Sequence, residues 1–356
     1  MKAKRFLALA PIAALALAGC GGTSGNSSSS STSGSSAAST DCSSASVFCV
    51  GLVTDTGKVD DKSFNQSAWE GVQAGGTATG AQVKYIETVD TKDYATNIKQ
   101  FTDKKYDVIV TVGFLMADAT VAAAKAYPNT KFIGVDQFID TTKVTSTNLT
   151  GLSFNEDQAG YAAGYLAGLM TKTNKIGDVL GLEIPPVQKY DKGYKAGALA
   201  ANPKVKVTSV YHPAGDNAFN DPVWGAGEAK KQLAQGADFI FGAGGNTGNG
   251  AISETAKASG AGKTVFCIGV DVDQWDSVPA AQPCLITSAE KHLKEGVTDL
   301  IKAAKDGSIK GGNFIGTAGV SPFHAFDAII PADVKTKVAD VVAKLADGSL
   351  KTGVTL

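Results

Sequence analysis

The stretch GLVTDTGKVDDKSFNQSAWEGV (51–72) sets Asp55, Asp60, Asp61 and Glu70 around Phe64 and Asn65, directly behind an apolar run. Carboxylates so grouped could hold a hard metal ion, share a proton in acid–base catalysis, or accept hydrogen bonds from an uncharged ligand.

The metal and catalytic readings are poorly supported. DTGKVDD is one residue shorter than the DTDPGIDD calcium motif of nucleoside hydrolases and lacks its middle Asp and its Pro, so a metal there would lose an oxygen ligand. His212, His292 and His324 are scattered, no CxxC pair exists, and no Ser–His–Asp or Cys–His set can be defended. No metal and no cofactor is expected. A nucleoside-cleaving enzyme stays open as an alternative from another class.

The remaining polar residues follow apolar runs at regular intervals, where open parallel sheets place their ligands. They are Phe114 and Asp118, Asp136 and Gln137, Glu183, Asp216 to Asn220, GGNTGNG (244–250), DVDQW (271–275) and Lys291. Asp55, Asp60, Asp61, Asp136, Glu183, Asp271 and Asp273 thus face one evident cation, Lys291. A phosphate would be repelled, and GAGGNTGNG fits neither GxGxxG, with Thr247 at the last glycine position, nor a P-loop. A neutral polyol carrying a polar ring fits best, because ionised carboxylates only accept hydrogen bonds.

Short apolar runs alternate with helical patterns to position these residues. Strands are expected at 47–53, 83–88, 106–113, 131–136, 150–154, 175–182, 205–211, 238–244, 264–271 and 284–289. The alternation argues for parallel sheets with crossover helices, and about 310 residues suffice for two lobes. The pattern starts again near residue 156, without a convincing residue-level repeat. Lobe 1 is expected over 47–155 and 273–315, and lobe 2 over 156–272 and 316–356. PADVKTKVADVVAKLADG closes the chain as a surface helix, with Pro331 near its start and Gly348 past its end.

Ahead of this body, Lys2, Lys4 and Arg5 precede an apolar run from Phe6 to Ala18, too short to span a membrane, and then LAGC. Residues 1–19 read as a lipoprotein signal peptide, with Cys20 acylated after cleavage. Residues 20–46 are Ser-rich and read as a tether. The other cysteines permit two disulfides, most simply Cys42 with Cys49 and Cys267 with Cys284. A formal net charge of −1 gives no electrostatic case for nucleic acid.

With GLVTDTGKVDDKSFNQSAWEGV, the segments VIVTVGF, KFIGVDQ, GLEIPPVQKYDKGYKAG, NDPVWGAGEAKKQLAQGADFIFGAGGNTGNGA, IGVDVDQW and ITSAEKHLKEGV resemble, in order, the basic membrane protein (BMP) family of PnrA-like lipoproteins. The resemblance implies an α/β chain with the type I periplasmic-binding-protein fold: two doubly wound parallel-sheet lobes joined by a three-strand hinge. It also implies a monomeric substrate-binding protein of an ABC importer, lipid-anchored on the extracytoplasmic face of the cell membrane. Such a protein would capture a nucleoside (adenosine, guanosine or inosine) and deliver it to the permease. By the same resemblance Phe64 and Phe219 stack on the purine, Asn65 and Asp136 bond its edge, and Asp271 and Lys291 hold the ribose hydroxyls. Gly244 offers backbone, Glu183 lies near, and Asp55 supports the site. Asp60 and Asp61 are read as capping the helix that starts near Ser63. A sugar or another small neutral ligand on the same fold, and an adhesin with a vestigial pocket, stay open.

Overall fold

A computed structural model describes residues 41–356; the signal peptide, Cys20 and the tether up to residue 40 lie outside the described residues. The chain begins with β1 (Cys49–Thr56), α1 (Phe64–Thr79), β2 (Gln82–Thr88), α2 (Tyr94–Thr102), β3 (Val108–Val112), α3 (Ala117–Ala126), β4 (Lys131–Val135) and β5 (Leu149–Ser153). It crosses into α4 (Glu156–Met170), β6 (Lys175–Leu180), α5 (Pro185–Ala201), β7 (Lys206–Tyr211), α6 (Pro222–Ala234), β8 (Phe239–Ala243), α7 (Asn246–Thr255), β9 (Phe266–Asp271), α8 (Gln274–Ser277) and β10 (Leu285–Lys291). It then returns through α9 (Leu293–Asp306) and β11 (Gly312–Ile315), crosses a third time into β12 (Ala318–Val320), and ends in α10 (Ala332–Ala346).

Two six-stranded sheets result, in the orders β11-β5-β4-β3-β1-β2 and β12-β10-β9-β8-β6-β7. All pairings are parallel except β10 with β12. Helices cover both faces, so the inner strands are apolar on both sides rather than alternating. In β1, Val50 and Leu52 join a core with Val297 and Ile301 of α9, while Cys49 and Val53 face Ile98 and Phe101 of α2. Each such side chain removed from water contributes about 1.5–3 kcal/mol. In the second lobe, α4 lies directly on α5: a Cβ at Gly164 would come within 2.0 Å of the Tyr194 carbonyl, and one at Gly197 within 1.9 Å of that of Tyr161. The spacing Gly160, Gly164, Gly168 in α4 is what permits this approach.

The structure corrects the expected lobe boundary at 272/273. β10 pairs with β9 on one side and β12 on the other, so residues 273–291 belong to lobe 2. The second crossing comes between Lys291 and Leu293. The three crossing segments bond to one another, Gly316 N–H donating to Ser153 C=O (2.9 Å) and His292 N–H to Thr317 C=O (3.0 Å). Cys42–Cys49 and Cys267–Cys284 are disulfide-bonded. Among the described residues no helix is long and apolar enough to cross a membrane.

Candidate ligand-binding cleft

The lobe 1 wall is built by the start of α1. Asp61 accepts backbone N–H bonds from Ser63 (3.0 Å), Asn65 (2.9 Å) and Gln66 (3.0 Å). These donors have no partner inside the helix, so a buried carboxylate ahead of Phe64 both starts the helix and aims Phe64 and Asn65 at the cleft. Asp61 itself also lines the cavity, whereas Asp60 is exposed. Burial pushes the Asp61 carboxyl up to about 7 despite the three donors. Asp55, at the end of β1, accepts from the Tyr94 hydroxyl and from Thr56 N–H, and burial lifts it to about 6.

Two further carboxylates enter from equivalent places. Asp136 follows β4 and Asp271 ends β9, and the sheet orders superpose these two strands. Both residues have left-handed backbones, φ 59° and 67°. That conformation costs about 1–2 kcal/mol outside glycine, and Asp tolerates it better than most residues. The tetrapeptide Ile-Gly-Val-Asp occurs at both positions (133–136 and 268–271), a short internal repeat that only the fold makes meaningful.

Lys291 ends β10 and is buried. Its Nζ lies 2.6 Å from Asp136 Oδ2, 3.5 Å from Asp271 Oδ1, 4.0 Å from Glu156 Oε1, and 4.5 Å from the centroid of the Phe64 ring. Burial alone would lower its pKa, but the three carboxylates together hold it above the ordinary lysine value. Burial raises Asp136, with Lys291 opposing. Asn65 Oδ1 and Asp136 Oδ1 are buried, and among the described residues nothing donates to either. Unpaired buried acceptors are costly, about 1–3 kcal/mol each, and both of these belong to residues that line the cavity.

The lobe 2 wall brings Phe219, the backbone of Gly244 and Gly245, and the start of α5, where Ile184, Pro186, Val187 and Tyr190 face the cavity. The Phe219 ring lies over Gly181, where a Cβ would meet it at 2.2 Å. Direct bonds join the lobes around the cavity: Ser63 Oγ donates to Asp271 Oδ2 (2.7 Å), Asn249 Nδ2 to Asp61 C=O (2.7 Å), and Gln274 Nε2 to Lys62 C=O (3.1 Å).

Asp55, Phe64, Asn65, Asp136, Phe219, Gly244, Asp271 and Lys291 thus meet around one cavity. Glu183 does not. It is exposed and accepts from Gln188 Nε2 (3.2 Å), because the chain turns outward after β6 before Pro185 starts α5. Tyr190 of α5 serves both core and cavity. Glu156 escaped the sequence reading altogether, since nothing in ED at a helix start announces a buried ion pair. Among the described residues no group of His, Cys, Asp and Glu could hold a metal.

Residues 48–320 match the family model of the ABC transporter substrate-binding protein PnrA-like proteins. The chain belongs to this family. It is 35% identical over 327 residues to the CD4+ T-cell-stimulating antigen of Listeria monocytogenes, covering 86% of this chain and 88% of that one. It is 34% identical over 278 residues to the ABC transporter nucleoside-binding protein BmpA of Lactococcus lactis, with 74% and 77% covered. Among solved structures, a solute-binding protein of an ABC transporter system from Aeropyrum pernix K1 aligns with a TM-score of 0.76 at 22% identity, over 85% of this chain and 92% of that one. This chain therefore has the two-lobed periplasmic-binding-protein fold and is a substrate-binding protein of the ABC transporter class.

Proposed function

We propose that this protein captures a purine nucleoside between its lobes and presents it to an ABC permease, held at the extracytoplasmic face of the membrane by lipid on Cys20. The observation that carries the reading is the pairing of an aromatic ring from each lobe, Phe64 and Phe219, with buried acceptors that lack donors, Asn65 Oδ1 and Asp136 Oδ1. Aromatic rings suit a planar heterocycle, and the acceptors suit its N–H edge. Asp271 and Lys291 take the ribose hydroxyls, Gly244 contributes backbone, and Asp55 supports the floor. The name of the L. lactis relative as a nucleoside-binding protein supports the same ligand class.

The carboxylates disfavour nucleotides, whose phosphates would meet Asp55, Asp61, Asp136 and Asp271 with Lys291 already engaged. Lobe closure follows because a ligand touched by both walls binds the closed state better than the open one. Binding without cleavage is part of this reading, supported by the substrate-binding family and the nucleoside-binding name of the L. lactis relative.

A thermal-shift panel of nucleosides, nucleotides and sugars tests this. At a hundredfold excess over Kd a bound nucleoside stabilises by about 2.7 kcal/mol, a clear rise in Tm. A rise with sugars alone would move the assignment to a sugar receptor. Free base appearing on long incubation would make it an enzyme.

A further inference from the structure

Glu156 lies at the hinge and outside the cavity. It is the first residue of α4, directly after the first crossing, and only 1% of it is exposed. Its Oε2 accepts from Lys189 Nζ at 3.0 Å, and its Oε1 lies 4.0 Å from Lys291 Nζ. Lys189 also donates to Phe154 C=O (3.3 Å) on the crossing segment itself. The groups facing Glu156 are therefore Lys189 from α5, Lys291 from β10 and Asp136 from beyond β4, with Asp271 of β9 on the far side of Lys291.

These groups belong unequally to the two lobes. Asp136 sits on lobe 1, while Glu156, Lys189, Asp271 and Lys291 sit on lobe 2 or its edge of the hinge. With Asp136 away, two carboxylates face two lysines and the cluster is neutral. Closure brings in a third buried carboxylate, so the cluster acquires one negative charge in a dry setting, where an unpaired charge is costly.

We propose that Glu156 is a positioning residue that holds the Lys291 ammonium toward the cleft and takes up, from solvent, the proton that balances Asp136 when the lobes close on their ligand. The inference rests on the nucleoside-receptor reading above. Burial, and then the charge of Asp136, raise the closed-state Glu156 carboxyl to about 7, with Lys291 and Lys189 opposing. Withdrawing Asp136 removes one of the two causes that raise Glu156 and leaves both lysines in place, so its carboxyl falls in the open state and linkage makes binding weaker at pH 8 than at pH 6, by up to about tenfold.

The test is isothermal titration of the full chain with guanosine, from pH 6 to pH 8 and at pH 7 in phosphate and in Tris, whose ionisation heats differ. Wild type should bind at least threefold more weakly at pH 8 than at pH 6 and take up a fraction of a proton at pH 7. Glu156→Gln keeps one acceptor oxygen, as the protonated Glu does, but cannot titrate. It should bind at pH 8 at least as tightly as wild type, with the slope reduced to under threefold. Glu156→Ala loses the acceptor too and should bind more weakly at every pH. A merely structural role would weaken Glu156→Gln as well. Guanosine binding with heat independent of buffer, or a Glu156→Gln variant retaining the wild-type slope, overturns this inference alone. A folded wild type that binds no purine nucleoside overturns the nucleoside reading and this inference with it.

Discussion

Truncating the two aromatic walls separately should weaken nucleoside binding by different amounts. Phe219 offers one face, and removing a ring stacked on a base costs about 1–3 kcal/mol, so Phe219→Ala should raise Kd roughly 5- to 150-fold. Phe64 has a second task, because Lys291 Nζ sits 4.5 Å above its ring in a buried setting. A desolvated cation–π contact adds about 0.5–2 kcal/mol, so Phe64→Ala should cost about 1.5–5 kcal/mol, roughly 10- to 5,000-fold in Kd. Phe64 also packs against the lobe 1 core, so its loss lowers Tm as well. Binding is therefore measured by calorimetry with guanosine, well below the Tm of each variant and after circular dichroism shows it folded. A ligand gripped by the carboxylates alone would lose little. Folded variants that both bind guanosine within threefold of wild type would refute the stacking argument.

Gly181→Ala touches no ligand, yet its Cβ would meet the Phe219 ring at 2.2 Å and push it into the cavity; a tenfold or greater rise in Kd is expected, and an unchanged Kd would show that the ring relaxes elsewhere. Burial raises Asp55 to about 6 and Asp61 to about 7, so the folded chain holds more protons than the unfolded one between about pH 4 and 7. Stability present below the unfolded values is lost as pH rises through 6–7. Unliganded Tm should thus fall between pH 5.5 and pH 8, and a Tm that climbs over that interval would contradict the assignments. The Cys267–Cys284 disulfide closes a loop of 17 residues. Replacing both cysteines by Ala should cost about 3 kcal/mol in denaturant titration while leaving nucleoside affinity unchanged, since neither residue lines the cavity.

The ten strands expected from sequence all exist, because runs such as YDVIVTVG and DFIFGAG are apolar on both faces, as a doubly covered sheet requires. β11 and β12 were not legible, as GNFI and AGV are short and glycine-bearing. The second crossing was misplaced for a related reason. Apolar periodicity shows that 284–289 is a strand but not which sheet claims it, and pairing with β9 and β12 decides that. Residues at strand ends, such as Asp55, Asp136 and Asp271, could be found because topology puts strand ends at the cleft. Glu183 follows the same rule and fails it, since the turn before Pro185 carries it outward. Glu156 and Tyr190 come from helices, and their place at the site depends on how α4 and α5 pack against β10, which no local pattern encodes.

The most direct measurement is isothermal titration of the wild-type chain with adenosine, guanosine, inosine, cytidine, deoxyadenosine and glucose. A saturable one-to-one heat with at least one purine ribonucleoside is expected, weaker with deoxyadenosine than with adenosine because Asp271 and Lys291 lose a hydroxyl partner. Glucose should give none. A folded protein that gives no heat with any nucleoside would contradict the account.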